Sequence, residues 1–204
     1  MNLYLARHGQ NEDNANGILN GHRDLPLTAK GVEQAKEVAE KILQEGLWFD
    51  YIFTSPLMRA EQTAVLIAEH IDGPAPVQMA ELIERDFGVM TGVEQSKITE
   101  MCAPDIIQAE VITYFLSPEG AETFPDLIDR AILLLDKLEA MQLEGDILLV
   151  THGDFGKMIY AAYYGLPWEE VLTQFHFGNS ELLLLSPDSE ASEAHVFRIA
   201  QHNA

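Results

Sequence analysis

Apolar and polar positions along the chain keep two rhythms that follow one another in a fixed order. Asn2 to Ala6 is a short apolar run, with Leu3, Tyr4 and Leu5, and it predicts a buried strand that stops at the polar segment Arg7-His8-Gly9-Gln10. After a loop, Thr28 is placed to cap a helix whose apolar positions Val32, Ala35, Val38, Ala39, Ile42 and Leu43 recur at helical spacing, with Gly46 as a stop. The order then returns. Tyr51 to Thr54 reads as a second strand, Ser55-Pro56 as an N-cap with proline at the first helical position, and Ala60, Ala64, Ile67 and Ile71 as one face of the following helix. Asp146 to Thr151 is a third strand running into His152-Gly153, and the helix after it carries Met158, Ile159, Ala162 and Tyr163 and is expected to end near Gly165-Leu166-Pro167.

Between these units the pattern predicts helices at Pro104 to Leu116 and Phe124 to Met141, separated by the turn-prone Ser117-Pro118-Glu119-Gly120. Glu181 to Ser186 and His195 to Ala200 read as two further strands. Alternation of strand and helix implies an α/β fold of three layers (α/β/α), a mostly parallel central sheet with helices on both faces. No repeat or linker interrupts residues 1–204, so a single domain is expected, with a small helical lid insertion near residues 93–122. Tyr160, Tyr163 and Tyr164 are read as packing residues, and Trp168 as a helix-start anchor.

Composition narrows the chemistry. Acidic residues outnumber basic ones 33 to 12 and the formal net charge is −21. Such a field repels nucleic acid and anionic membranes, and any phosphate site must gather its cations locally. No apolar run approaches the roughly 20 residues needed to cross a bilayer. The N-terminus lacks the features of a signal peptide, and the single cysteine, Cys102, fits a reducing compartment, so a cytoplasmic location is expected. A monomer and a homodimer both remain open.

In an open α/β sheet, ligands bind beyond the carboxyl ends of the strands. Three predicted strands end there in groups suited to phosphate: Arg7-His8-Gly9, Thr54-Ser55-Pro56-Leu57-Met58-Arg59 and Thr151-His152-Gly153. A lone His-Gly is weak evidence, but the combination is specific. Arg7-His8-Gly9-Gln10, followed by Asp24-Leu25-Pro26-Leu27-Thr28 and Gly31, then Ser55 to Ala64, Glu84 within Leu82-Ile83-Glu84-Arg85-Asp86-Phe87-Gly88, His152-Gly153 and Gly178-Asn179-Ser180, resembles the histidine phosphatase superfamily, which includes phosphoglycerate mutases. The ordered matches span nearly the whole chain.

The resemblance implies a metal-independent phosphomonoesterase with no cofactor, acting on a small phosphorylated substrate. His8 would be the phosphate-accepting nucleophile, through one ring nitrogen while the other is held by a carbonyl. Arg7 and Arg59 would grip phosphate oxygens, and His152, protonated by the dianion, would add a third cationic donor. Glu84 is the counterpart of the family's general acid, which requires a raised pKa. Asn14, Gly21, Gln10, Arg23 and Gly153 are implied at the phosphate loop or the substrate. Asp154 departs from the pattern: it either caps the helix after Gly153 or places a carboxylate in the site.

Glu84 and His152 lie 152 − 84 = 68 positions apart, which resembles the compact phosphatase branch. The segment Phe87 to Gly92 also departs from the family's usual ending, which carries an acidic residue before the last glycine. Phosphoglycerate mutase-type transfer and a non-catalytic phospholigand-binding regulatory protein are the alternatives.

Overall fold

The computed structural model describes residues 2–110 and 112–197. In chain order the elements are β1 (Leu3–Arg7), α1 (Glu12–Ala15), α2 (Ala29–Gln44), β2 (Tyr51–Thr54), α3 (Met58–Ile71), β3 (Val77–Gln78) and α4 (Ile98–Cys102). They continue with β4 (Ile106–Gln108), β5 (Thr113–Phe115), α5 (Phe124–Ala140), β6 (Ile147–Thr151), α6 (Gly153–Tyr164), α7 (Trp168–Gln174), β7 (Leu182–Leu185) and β8 (His195–Phe197). One sheet has the order β3-β2-β6-β1-β7-β8, with β3, β2, β6 and β1 parallel and β7 antiparallel to both its neighbours.

Alternation along the central strands builds the layers. Leu3 and Leu5 of β1, with Ile147 and Leu149 of β6, face one core, packed by Leu127, Leu134 and Leu138 of α5 and by Met158 and Ile159 of α6. Tyr4, Ala6, Leu148 and Val150 point the other way, onto Val38, Ala39 and Ile42 of α2 and Ala60, Ala64 and Ile67 of α3. This is the period-2 consequence of strand geometry, and β6 is apolar from Ile147 to Val150 because both its faces are covered.

Most predicted elements fall where the pattern places them. Thr28 caps α2 by accepting the Gly31 N–H at 3.1 Å, and Gly165 closes α6 in the left-handed conformation. Trp168 opens α7 and stacks on Phe124 with ring centroids 5.3 Å apart.

Two expectations need correction. The segment Pro104 to Leu116 is not a helix but an antiparallel pair, with Ile106 opposite Phe115, Ile107 opposite Tyr114 and Gln108 opposite Thr113. Its isoleucines, Thr113 and the aromatic pair Tyr114-Phe115 prefer an extended, pleated backbone, and the antiparallel hydrogen bonds outweigh a loosely helical apolar spacing. The segment near 93–122, expected to be helical, is therefore built from a hairpin and one short α-helix. Second, α3 begins at Met58, and Ser55 is not its cap: Ser55 Oγ accepts the Leu57 N–H at 3.2 Å and also meets His152. The last strand is present as predicted over His195–Phe197, and residues 198–200 of the predicted span lie outside the described residues. Among the described residues no helix is long and apolar enough to cross a membrane.

Candidate active site

β1 and β6 are neighbours, in register from Leu3 opposite Ile147 to Arg7 opposite Thr151. Their carboxyl ends therefore deliver His8 and His152 side by side, with ring centroids 5.0 Å apart. Gly9 and Gly31 allow the His8 loop to sit against the start of α2: a Cβ on Gly9 would lie 2.4 Å from the Gly31 carbonyl oxygen. Only glycine permits that approach of two backbones.

His8 Nδ1 lies 2.7 Å from the Gly9 carbonyl oxygen. A carbonyl accepts only, so Nδ1 carries the proton and Nε2 keeps its lone pair. Arg59 Nε donates to that Nε2 at 3.2 Å, while its two terminal nitrogens donate to the carbonyls of Arg23 and Gly21 at 2.7 and 3.0 Å. Arg59 is fully buried and fixed by these carbonyls. Arg7 Nη1 donates to the Phe177 carbonyl at 2.9 Å, and its buried Nε has no hydrogen-bond partner among the described residues. A Cβ on Gly153 would stand 3.3 Å from the Arg7 guanidinium carbon, so the chain after His152 also packs against that cation.

His152 is buried with Nε2 at 2.7 Å from Ser55 Oγ. Its buried Nδ1 finds no partner among the described residues. Burial first, then the Arg59 and Arg7 charges, hold His8 well below the ordinary histidine pKa. The same burial, followed by Arg59, does so for His152. His152 is thus neutral here, and its positive charge is not part of the resting cradle. Since Ser55 Oγ already accepts from Leu57, its own proton can go to His152 Nε2 and leave an N–H on Nδ1. The ring can donate to a ligand without being charged.

Glu84 is buried, where an isolated glutamate would be expected on the surface. One carboxylate oxygen accepts the Arg85 N–H at 2.9 Å and the Phe155 N–H at 3.1 Å, and the other accepts the Asp154 N–H at 3.4 Å. The carboxylate thus rests on the N-terminus of α6, where helix dipole and open N–H groups favour an anion. Even so, burial and then the nearby Asp154 raise its pKa. The loop carrying it is clamped from outside by Arg130, which donates to the carbonyls of Glu81 and Ile83 at 2.8 Å and pairs with Glu122. His22 Nε2 meets the Glu84 carbonyl at 2.8 Å.

Asp154 points inward, and its charge is answered by Arg85, whose Nε stands 3.1 Å from the carboxylate as a charge contact rather than an aligned hydrogen bond. Arg85 is enclosed by the rings of Phe87, Phe115 and Phe124, at 5.1, 4.2 and 4.3 Å. Asp154 does not cap α6 through its side chain.

Arg7, His8, Arg59, Glu84, Asn14, Gly153 and Asp154 line one cavity of about 330 Å³. Gln10, Gly21, Arg23 and the fully buried His152 do not line it. Gln10 Oε1 accepts from Thr28, and Gly21 offers its carbonyl to Arg59. The Arg23 guanidinium pairs with Asp13 at 2.7 Å, so only its carbonyl serves the site, through Arg59. Asn179, quoted only as part of a motif, donates to the His8 carbonyl at 2.8 Å. Arg85, Lys157 and Tyr114 also line the cavity, and sequence reasoning missed them. A lysine between Gly156 and Met158 on an otherwise apolar helix face is the signal that could have found Lys157.

Comparison with known proteins places the chain in a family. Curated relatives named 2,3-bisphosphoglycerate-dependent phosphoglycerate mutase include one from Rhizobium etli, 32% identical over 74% of this chain and 75% of its own. Another, from Xanthobacter autotrophicus, is 30% identical over 94% of this chain and 95% of its own. Relatives of that name can thus be as short as this chain, and the compact spacing from Glu84 to His152 does not separate the two reactions. Among solved structures, a mycobacterial glucosyl-3-phosphoglycerate phosphatase superposes with a TM-score of 0.77 at 27% identity, over 91% of this chain and 92% of that one. An alpha-ribazole phosphatase from Shigella flexneri reaches 0.75 at 25% identity, over 100% and 98%. With the match to the family running from residue 3 to residue 199, the chain belongs to the histidine phosphatase superfamily, branch 1.

Proposed function

We propose that the chain is a phosphomonoesterase that passes the phosphoryl group of a small ester through His8 to water. The observation that carries this reading is the state of the His8 ring: Nδ1 is committed to the Gly9 carbonyl, and Nε2, with its lone pair, adjoins Arg59 in the cavity. A nucleophile held in one tautomer and kept neutral by burial is ready without prior deprotonation.

In the first step a bond forms between Nε2 and phosphorus as the bond to the ester oxygen breaks, and Glu84 gives its proton to that leaving oxygen. In the second, water bonds to phosphorus and loses a proton to Glu84 as the bond to Nε2 breaks. Arg7, Arg59 and the His152 Nδ1 group answer the charge spread over the equatorial oxygens. The raised pKa of Glu84 is what an acid for the first step needs. Charge stabilisation comes from side chains, and hydrolysis is expected to persist in chelator.

A cavity of about 330 Å³ is at the small end of the usual ligand-site range of about 300–1,000 Å³, which favours a metabolite over a phosphoprotein. The names of the solved neighbours make phosphorylated glycerate and ribazole esters the first to assay. The names of the curated relatives favour a second reading, mutase transfer, in which a substrate hydroxyl replaces water. Release of inorganic phosphate from a phosphoglycerate supports hydrolysis, whereas isomerisation without release supports the mutase. Hydrolysis that continues undiminished in the His8→Ala protein would refute both.

A further inference from the structure

Lys157 lies one turn into α6, beyond Gly153 and Asp154, and helix geometry leans its long side chain back toward the N-terminus. It lines the same cavity as Arg7, Arg59, Glu84 and Asp154, yet the phosphoryl chemistry above gives it no task. It is 3% exposed. Lysine is almost never buried this deeply without a counter-charge, because desolvating an ammonium costs several kcal/mol.

Its partners are neutral. The ammonium donates to the Tyr114 hydroxyl and lies 4.8 Å from the centre of that ring. Burial, followed by the Asp154 charge, raises the Tyr114 phenol above its ordinary value, so it stays protonated. Among the described residues no carboxylate comes within 4.0 Å of Lys157; the nearby Asp154 is taken by Arg85 at 3.1 Å. Burial brings Lys157 down to about 8, which leaves it charged at neutral pH.

The charges lining the cavity can be matched one by one. A phosphate dianion answers Arg7 and Arg59, Asp154 answers Arg85, and Glu84 carries its proton when it acts as the acid. Lys157 then remains as a buried cation without an anion. We propose that Lys157, supported by Tyr114, is the anchor of a second anion subsite that selects phosphate esters bearing a further anionic group, a carboxylate, a few bonds from the ester oxygen. This rests on the reading of the cavity as a phosphoester site. One carboxylate matches one ammonium, whereas a second phosphate would bring an extra negative charge into a small cavity. A site built around such a group discriminates strongly, because a ligand lacking it leaves the charge buried and unpaired.

Non-hydrolysable phosphonates test this without any turnover. By titration calorimetry at pH 7, 3-phosphonopropionate is expected to bind the wild type at least about tenfold more tightly than propylphosphonate, which differs in carrying a methyl in place of the carboxylate. The ratio collapses toward one in Lys157→Met, whose side chain is of similar length and suits a buried helix face, and it survives in Lys157→Arg. In the wild type the ratio also declines as pH rises through about 8. The groups facing Lys157 at that titration are Asp154 on α6, Tyr114 on β5, Arg7 on β1, Glu84 from the segment between β3 and α4, and Glu181 just before β7. Equal affinities in the wild type, or an unchanged ratio in Lys157→Met, would overturn the proposal. A larger gain for ethylenediphosphonate than for 3-phosphonopropionate would overturn the choice of carboxylate. Failure of the wild type to hydrolyse any ester would strike the proposed reaction instead and leave these ratios as they are.

Discussion

His8, Ser55 and His152 stand just beyond the ends of three adjacent parallel strands, with Arg7 on the last residue of β1. Glu84, Arg85, Tyr114 and Asp154, by contrast, come from a loop, a hairpin and the first turn of a helix. The end of the cavity proposed to take the phosphate is held by the sheet itself. The other end is assembled from segments that share no hydrogen-bonded ladder and is fixed by charges: the half-buried Arg130 on the Glu84 loop, and the buried Arg85 on Asp154 and Lys157 on Tyr114. On the proposed function, the end built by the sheet carries the phosphoryl chemistry and the end held by charges meets the part of the substrate that varies.

The comparison breaks most sharply at the phosphate end. Removing the nucleophile in His8→Ala is expected to lower kcat by about three orders of magnitude or more, as loss of a covalent nucleophile does, measured as phosphate release from any ester the wild type accepts. At the leaving-group end the effect should depend on the leaving group. Glu84→Gln is expected to cost about 10²- to 10⁴-fold with an alkyl ester, the usual worth of a general acid, and much less with a nitrophenyl ester, whose oxygen departs unprotonated. Because the acid must be protonated and its pKa is raised, kcat/KM of the wild type with the alkyl ester falls on the alkaline side as Glu84 ionises, and that limb disappears in Glu84→Gln. Equal losses for both leaving groups would remove Glu84 from the acid role.

A smaller effect separates positioning from chemistry. Arg130 touches the Glu84 loop and not the cavity, so Arg130→Met is expected to reduce kcat about tenfold, within the range that a misplaced catalytic group can cost. Binding at the other end, read as the vanadate inhibition constant, should hardly move.

The gentlest test reads the two histidines. Both have folded pKa values lowered well below 6.5, so below about pH 6.5 the unfolded chain binds protons that the folded one does not. Their contribution to stability is complete above that pH and is lost as pH falls, by about 1 kcal/mol per histidine per pH unit. Glu84, with its raised pKa, works in the opposite direction, losing stability as pH rises from its unfolded value. Thermal unfolding between pH 5 and 7 should therefore show a shallower dependence in His152→Asn than in the wild type.

The same division explains what the sequence disclosed. β1, β2 and β6 each carry an apolar run that stops at a polar motif, and the local rhythm of Leu3 to Arg7 or Ile147 to Thr151 is enough to place His8 and His152 at strand ends. Thr28 and Gly165 punctuate their helices by local chemistry alone. At the other end nothing local decides the outcome. Ile106 to Gln108 and Thr113 to Phe115 have apolar positions compatible with either period, and only their mutual pairing makes them strands. Arg85, Arg130 and Lys157 matter through partners 69, 49 and 43 positions away, Asp154, Glu81 and Tyr114, which no periodicity reveals. Gln10 and Arg23 were placed by motif, and the structure spends their side chains on Thr28 and Asp13.

The central claim is the covalent bond at His8. Phosphohistidine is acid-labile and survives base, so the direct measurement is a millisecond quench of the turning-over protein into alkaline denaturant, followed by phosphorus NMR and peptide mapping. The account predicts phosphorus bonded to Nε2 of His8, absent in His8→Ala and accumulating in Glu84→Gln with a nitrophenyl ester, because the second step then lacks its base. Rapid turnover with no phosphorus on His8 at any time point, or with the label on His152, would contradict it.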